Sequence, residues 1–382
     1  MDAPFIYNKP VTGRWFLGRK AESAILSNLL RDGENVVMYE PPKTGKDSLL
    51  QQVFYNLKLS SQQFRIVSLS FMGKRTLEGL CLHLGSEMLR IHGASEEEYA
   101  GLVSELLAGT HFVFDALVCQ ATGSILSLNW DMDDDDIRAV ISLPYRLARK
   151  YGRKLFVCVD DFQEVMLGED GERFCSLMQE VFKARGPEDR DACYVLCGSQ
   201  VNAMKEIFEH RRFFHRQVER VALGEIDSKE IADYVSRGFL NGGKVVDRDL
   251  LLGSCKLFRN NMWYINMFAS ICDSLSKGYM MEPVLAEALA DMIAIFEPRY
   301  RAAMADLTTF QVSLLRAIID GHTRFSSADV IRRYRLNSSA NVLRLKDALC
   351  KKEIITFDSE GNPLILDPLF EYWVTKYYFE IQ

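Results

Sequence analysis

The sequence predicts an α/β protein: a parallel sheet with helices on both faces, followed by a helical segment and a winged helix-turn-helix domain. Three observations support this fold class. Short strands that are apolar without alternation are separated by segments of helical periodicity, which is typical of a buried parallel sheet. From residue 227 the patterns are helical only. From residue 306 three short helical patterns precede a two-stranded ribbon that turns at 359–362.

The predicted elements alternate through the first 226 residues. Helical spacing of apolar residues predicts helices at 19–32, 48–59, 76–93, 137–152 and 174–186. Continuous apolar runs predict strands at 35–39, 65–71, 154–161 and 193–200. Segment 94–136 has no clear period and is interpreted as irregular. Its acidic run DMDDDD lacks the alternation and distal glutamate of a calcium loop, so we interpret it as a cap for the next helix.

Size and composition bound the function. The 382 residues suffice for two or three domains, which we place at 1–226, 227–300 and 301–382. Hydrophobic residues make up 48% and charged residues 26%, as in soluble globular proteins. A net charge of -6 gives no overall attraction to nucleic acid, although one domain can still carry a basic face. The start of the chain lacks the apolar core of a secretion signal, and no apolar run approaches the roughly 18 residues of a membrane span.

The nine cysteines are scattered through apolar segments and form no C-x-x-C pair. Their odd number and dispersed placement predict reduced thiols in a cytoplasmic protein. We interpret them as small core residues rather than as metal or redox groups.

The stretch YEPPKTGKDSLL, residues 39–50, lies between the first predicted strand and the second predicted helix. A phosphate-binding loop is written G-x-x-x-x-G-K-[ST] at such a junction. Gly45 and Lys46 match this pattern, but Glu40 stands in place of the first glycine. Asp47 stands in place of the hydroxyl residue that holds Mg²⁺. The position of the motif predicts a P-loop that binds ATP with Mg²⁺.

Four further positions fit such a site. The strand FVCVDD ends in Asp160, a carboxylate suited to Mg²⁺, and Asp161 follows where a glutamate usually orients the attacking water. Ser199 ends another strand and is suited to sensing the terminal phosphate, and Arg216 is a candidate counter-charge for the transition state. Three of them also have a structural interpretation: a helix cap for Asp160, a strand-end hydroxyl for Ser199 and a surface charge for Arg216.

In their order, these motifs resemble the archaeal-type ATPase family, a branch of the AAA+ and STAND P-loop proteins, over nearly the whole chain. The resemblance rests on an F-x-G-R motif at 16–19, the P-loop at 41–48, the DDFQE run at 160–164 and the closing DPLFEYW at 367–373. It implies a nucleotide site formed by Phe16, Gly18, Arg19, Pro42, Lys43, Thr44, Gly45, Lys46, Asp47 and Ser48. It also implies Mg²⁺ ligands at Asp160 and Asp47 and catalytic roles for Asp161, Ser199 and Arg216.

The chain departs from that family where the chemistry occurs. Glu40, Asp47 and Asp161 replace its glycine, threonine and glutamate, and 259–264 keeps only the aromatic end of its lid motif. One added negative charge about 6 Å from a phosphate costs about 3 kcal/mol at an effective dielectric of about 20, or roughly a hundredfold in affinity. We expect Lys43 to offset one of these acids. The sequence therefore predicts ATP binding with weak, slow or absent hydrolysis.

Two functions remain open from the sequence. One is a conformational switch set by ATP, acting on an unknown protein partner, in which an oligomer is possible. The other is a nucleotide-free pseudo-ATPase that serves as an adaptor or binds DNA through its winged helix. That domain carries Arg332, Arg333, Arg335, Arg344, Lys346, Lys351 and Lys352, which suit DNA phosphates. Against this, we expect Leu343, Leu345, Leu349 and Cys350 to belong to the core, and the aromatic tail to pack on another part of the chain.

Overall fold

The computed structural model describes residues 5–60 and 62–381; residues 1–4, at the start of the predicted first domain, lie outside the described part. The chain forms two compact units. The first, called the sheet unit, comprises Lys20–Glu40 and Leu49–Leu223. The second, called the helical unit, comprises the residues up to Arg19, the loop Pro41–Ser48 and the residues from Gly224 onward.

A five-stranded parallel sheet forms the centre of the sheet unit, in the order β2-β5-β6-β1-β7. Every residue of β1 and β6 is buried, which is the physical reason for their continuous apolar sequences. The strands are β1 (Val36–Tyr39), β2 (Phe64–Ser70), β3 (Phe112–Val113), β4 (Ser127–Leu128), β5 (Lys154–Asp160), β6 (Ala192–Gly198) and β7 (Glu219–Arg220). β3 and β4 form a separate antiparallel pair.

The helices confirm the predicted periodicity. They are α1 (Lys20–Asp32), α2 (Lys46–Leu59), α3 (Leu77–Arg90), α4 (Glu96–Leu106), α5 (Ala116–Thr122), α6 (Asp134–Tyr151), α7 (Gly171–Ala184) and α8 (Val201–Lys205). The interpretation of 94–136 as irregular was wrong, because α4 and α5 lie within it. Ser95 caps α4 by accepting a hydrogen bond from the Glu98 N–H, and only Leu102, Val103 and Leu106 of that helix are buried. So short an apolar stripe gives little periodic signal.

The acidic run caps α6, as the sequence predicted. The Asp133 carboxylate accepts hydrogen bonds from the N–H groups of Asp135 and Asp136, and the Asp136 carboxylate accepts one from the Asp133 N–H. Asp136 also accepts hydrogen bonds from the backbone N–H and Nδ1 of His111, at 2.8 and 2.9 Å. His111, Asp133 and Asp136 are close enough together to hold a cation. Their hydrogen bonds to one another explain the cluster as part of the fold.

The helical unit contains the predicted helical segment and the winged helix. Its helices are α9 (Ser228–Asn241), α10 (Arg248–Leu257), α11 (Met262–Leu275), α12 (Glu282–Ala305), α13 (Thr309–Ile319), α14 (Ala328–Tyr334), α15 (Ser339–Lys351) and α16 (Pro368–Trp373). Its strands are β8 (Val245–Val246), β9 (Tyr279–Met280), β10 (Ile355–Phe357) and β11 (Pro363–Ile365). The antiparallel pair β10-β11 is the predicted ribbon. No helix in the described part of the chain is long and apolar enough to cross a membrane.

Burial in the winged helix agrees with the sequence except at one leucine. Leu345 and Leu349 are buried in α15, but the Leu343 side chain is 62% exposed, so its assignment to the core was wrong. Leu343 follows the buried Val342 and faces solvent because adjacent residues of a helix differ by roughly 100° in direction. In the aromatic tail Phe370 and Trp373 are buried and pack on Tyr300 of α12, as expected, whereas Tyr377 and Tyr378 are exposed, contrary to the expectation.

The cysteines are free thiols, as predicted, and all are buried except the half-buried Cys119 and Cys350. Burial raises the pKa of Cys193 to about 12, so this thiol stays protonated at neutral pH.

The His111–Asp136 contact predicts a pH-dependent contribution to stability. The hydrogen bond to Asp136 raises the pKa of His111 above its ordinary value of 6.5. The folded state therefore binds the proton more tightly than the unfolded state, so the stabilisation is fully present below pH 6.5 and is lost as the pH rises through the folded-state pKa. We expect His111→Ala to lower the free energy of unfolding most at pH 5.5 to 6, with the difference shrinking toward about pH 9.

Urea denaturation of both proteins across this range measures the effect. His215→Ala, which removes an exposed histidine outside the cluster, is the matched control. A His111→Ala deficit that does not vary with pH would show that the contact is only packing.

Candidate functional site

The loop between β1 and α2 has the backbone conformation of a tight turn into a helix. Gly45 has φ +94°, which a residue with a Cβ rarely adopts, so glycine is needed there. Lys43 also lies in the left-handed region, at φ +69°. Glu40 does not have positive φ, so the glycine that this position has in the common motif is not required by the backbone here.

Contacts within the helical unit hold the loop in shape. The Arg19 side chain donates a 3.0 Å hydrogen bond to the Thr44 carbonyl, and the Thr44 hydroxyl donates a 2.8 Å hydrogen bond to the Pro41 carbonyl. The C=O and N–H of one trans peptide unit point in opposite directions. The N–H of Gly45 is therefore directed away from Arg19, as a loop that presents its N–H groups to an anion requires.

Lys46 is the first residue of α2, and its side chain is buried. Its ammonium donates a 3.4 Å hydrogen bond to the Pro41 carbonyl and so lies over its own loop. A helix N-terminus combines free N–H groups with a partial positive charge. A buried cation at that point gives the loop the character of an anion site.

A cavity of about 300 Å³ adjoins the loop within the helical unit. It is lined by residues 6–11, residues 43–48 and Met262, Trp263 and Asn266 of α11. Phe16, Gly18, Arg19 and Pro42 are not among the lining residues, although the sequence assigned them to the nucleotide site. Gly18 instead packs on Ile226, whose Cγ2 is 3.0 Å from where a Cβ at position 18 would lie. Sequence reasoning missed the contribution of 6–11, because no motif marks this segment.

The two residues after Lys46 differ in their surroundings. Asp47 is exposed and lines the cavity. The Ser48 hydroxyl accepts a 3.1 Å hydrogen bond from the N–H of Val11, so it is engaged by the N-terminal segment. Both residues line the cavity, and the exposed Asp47 offers carboxylate oxygens to a cation there.

In the sheet unit, the two acids at the end of β5 are held differently. Asp160 is half-buried and pairs in register with Ser70 of β2. Asp161 is buried with φ +52°, and its carboxylate accepts hydrogen bonds from the Ser70 hydroxyl at 2.7 Å and from Gln163 Nε2 at 3.3 Å. These donors fix the position that the sequence assigned to a catalytic carboxylate.

Glu40 also has a partner in the sheet unit. Its carboxylate accepts a 3.2 Å hydrogen bond from the N–H of Leu223. Just before it, the Tyr39 hydroxyl donates a 2.6 Å hydrogen bond to Glu209, whose carboxylate also pairs with Arg220 at 2.8 Å. Glu40, the acid in place of the motif's first glycine, is thus hydrogen-bonded to the backbone just after β7.

The other two candidate catalytic residues lie on the sheet unit's surface. Ser199 is half-buried directly after Gly198, where a Cβ would lie 2.5 Å from the Met204 side chain and 2.6 Å from Gln163 Oε1. Glycine is needed at 198 for this close approach. Arg216 is exposed, in a left-handed conformation at φ +60°.

The Lys43 ammonium is directed at aromatic rings and not at Glu40 or Asp47, contrary to the expectation from the sequence. Its ammonium lies 3.7 Å from the centroid of the Trp263 ring, within the helical unit. Burial lowers the pKa of Lys43 to about 8, with Asp367 opposing the shift and Arg299 adding to it. The carboxylate that acts on the charge of Lys43 is therefore Asp367, and neither loop acid is among the causes of the pKa shift.

The winged helix has basic and acidic surfaces. Of the seven basic residues named from the sequence, six are exposed: Arg332, Arg333, Arg335, Arg344, Lys351 and Lys352. Lys346 is half-buried over the rings of Phe325 and Phe357. The ribbon turn at 358–362 carries Asp358 and Glu360, and Asp358 closes the turn by accepting hydrogen bonds from the N–H groups of Glu360 and Asn362.

Comparisons with known proteins agree with this architecture. A family model described as a probable winged helix domain matches residues 298–376. No curated protein matches the sequence. A Walker-type ATPase of Pyrococcus abyssi is similar in structure, with a TM-score of 0.66 and 16% identity over 97% of this chain and 99% of that one. The ADP form of the ORC2 protein of Aeropyrum pernix has a TM-score of 0.54 and 13% identity over 96% of this chain and 93% of its own. The chain therefore has the fold of a P-loop ATPase with a C-terminal winged helix.

Proposed function

We propose that this protein binds ATP with Mg²⁺ at the loop 41–48, hydrolyses it slowly or not at all, and uses the bound nucleotide as a conformational signal. The observation that carries the proposal is the loop itself. Gly45 takes the left-handed conformation, α2 begins at Lys46, and the Lys46 ammonium lies buried over the loop beside a cavity of about 300 Å³. This combination suits a polyphosphate.

Each part of the nucleotide has residues of matching chemistry. Lys46 and the N–H groups of residues 43–46 would bind the phosphates, and Tyr7 and Asn266 would surround the rest of the ligand. Asp47 and Asp160 offer the carboxylate oxygens that Mg²⁺ prefers. When bound, the ion would neutralise phosphate charge and so lower the cost of the nearby acids.

Three features support weak hydrolysis. Asp161 is one methylene shorter than the usual glutamate, and hydrogen bonds from Ser70 and Gln163 hold its carboxylate. A catalytic carboxylate displaced by about 1 Å can cost roughly a hundredfold in rate. Ser48 does not take the place of the missing threonine, because it lies one residue further along α2 and its side chain is rotated by roughly 100° from position 47. We retain Asp161, Ser199 and Arg216 as the residues that would contribute to any residual turnover.

We propose that the nucleotide signal acts on a cytoplasmic protein partner that binds the helical unit. The free, mostly buried thiols support a reducing compartment.

Duplex DNA is the second candidate partner, favoured by the exposed arginines of α14 and its C-terminal turn. Against it, the ribbon turn carries two carboxylates, which DNA phosphates would repel.

Binding of ATP should stabilise the folded protein. If Kd is about 10 µM, about 1 mM Mg-ATP should raise the free energy of unfolding by about 2.7 kcal/mol. Lys46→Ala should lose this stabilisation, because the buried cation over the loop is gone. Thermal and urea denaturation with and without Mg-ATP measure both. Lys58→Ala, which removes an exposed lysine from the same helix, should keep the full effect. No stabilisation of the unmodified protein would favour a nucleotide-free adaptor.

Hydrolysis should increase when the altered residues are restored. We expect Asp47→Thr combined with Asp161→Glu to raise the steady-state rate at least about tenfold, because a hydroxyl reaches Mg²⁺ and the carboxylate extends by one methylene. Phosphate release under saturating Mg-ATP measures the rate. Adding Lys46→Ala to this background should abolish the gain. If binding is retained and the rate does not rise, the limitation lies elsewhere, as in the 259–264 segment.

DNA binding through the winged helix should be weak and dominated by salt. Fluorescence anisotropy with random duplex at two salt concentrations measures it. We expect Kd above about 10⁻⁵ M near physiological salt. Arg332→Ala with Arg333→Ala should weaken any residual affinity. Sub-micromolar affinity that survives the higher salt concentration would contradict a protein partner as the main output.

A further inference from the structure

Lys43 combines an unusual backbone with an unusual side-chain position. Its φ of +69° is unfavourable for any residue with a Cβ, and nothing in the sequence marks it for that region. A residue stays in such a conformation when its surroundings hold it there. The side chain of Lys43 provides the holding contact.

The Lys43 ammonium is surrounded by three aromatic rings of α11 and α12. It lies 3.7 Å from the ring centroid of Trp263, 4.6 Å from that of Phe296 and 5.5 Å from that of Tyr264. We call this arrangement the lysine clasp. An ammonium over an aromatic face is attracted by the ring's negative face, more strongly when it is partly desolvated.

The rings of the clasp are themselves fixed. Trp263 packs edge-on against Tyr264 and Phe296, with centroids 5.1 and 6.1 Å apart. The Tyr264 hydroxyl donates a 2.8 Å hydrogen bond to Asp367, the residue that caps α16. Phe296 stacks on the buried Tyr300, one turn further along α12. Lys43 is thus held by a rigid surface.

We infer that Lys43 is a positioning residue: the lysine clasp keeps the loop in the conformation whose N–H groups surround a polyphosphate. The inference rests on the proposed ATP binding and adds a residue and a mechanism to it. In this role the ammonium contacts the aromatic rings, and the N–H groups of residues 43–46 bind the phosphates. The alternative is that Lys43 leaves the rings and contacts a phosphate directly.

Mg-ATP affinities of loop and ring variants separate these roles. We expect Lys43→Ala and Trp263→Leu each to weaken binding about tenfold, and the double variant to be no weaker than the worse single one, because both break the same contact. Lys43→Gly should lose less than Lys43→Ala, since glycine takes positive φ without strain. Lys43→Arg should stay close to the unmodified protein, because a guanidinium also stacks on tryptophan.

A readout without nucleotide shows whether the clasp exists. In protein labelled with 5-fluorotryptophan, the ¹⁹F resonance of Trp263, assigned from its loss in Trp263→Leu, should shift in Lys43→Ala and not in the control Lys58→Ala. An unshifted resonance would overturn the inference.

The outcomes distinguish this inference from the proposed function. Absence of Mg-ATP binding by the unmodified protein would overturn the proposed function and the positioning role with it. Binding that Trp263→Leu leaves unchanged, with Lys43→Gly as weak as Lys43→Ala, would show direct phosphate contact and overturn the inference alone. Lower stability of the variants with unchanged affinity would reduce the clasp to a structural contact and would also overturn it.

Discussion

The conformation of the loop 41–48 is the constraint on which the candidate site depends. A loop that surrounds phosphates with N–H groups usually relies on several glycines, because its backbone enters the left-handed region and approaches the ligand closely. This chain keeps only Gly45. The remaining shape is held by side chains: Arg19 on the Thr44 carbonyl, the Thr44 hydroxyl on Pro41 and the aromatic rings around Lys43. In this loop side-chain contacts hold the conformation that several glycines allow in the common motif.

The acids that replace common residues also have structural partners. Glu40 accepts a hydrogen bond from the Leu223 N–H, and Asp161 accepts hydrogen bonds from Ser70 and Gln163. The cost of about 3 kcal/mol estimated from the sequence assumed a carboxylate about 6 Å from a phosphate at a dielectric of about 20. A carboxylate stabilised by donors has part of its charge offset, and the exposed Asp47 is screened by solvent and salt. For the proposed ATP binding, these contacts would lower the electrostatic cost that the sequence alone indicated.

The sheet and the motif positions could be predicted because they depend on local pattern. The buried strands β1, β5 and β6 are continuous apolar runs, and the capping of α6 by Asp133 follows from residues adjacent to it. The contacts that shape the site depend on residues far apart in sequence. Lys43 meets Trp263, and Ser48 meets Val11, through tertiary packing that no periodicity encodes. The exposure of Leu343 could have been predicted from helix geometry, because Leu343 lies roughly 100° around α15 from the buried Val342.

Within the helical unit, the carboxylate of Asp367 connects the rings around Lys43 to the winged helix. Asp367 caps α16 and accepts hydrogen bonds from the hydroxyls of Tyr264 and Tyr300 at 2.8 and 3.3 Å. Tyr264 is one of the rings around Lys43, so a shift of the loop would change the surroundings of the residue that caps α16. Coupling free energies between sites are reciprocal. If the proposed nucleotide at the loop and a partner at α16 are coupled through this carboxylate, each changes the affinity for the other by the same factor. A chain with little hydrolytic activity can still act as a switch in this way, because the signal needs differential binding rather than turnover.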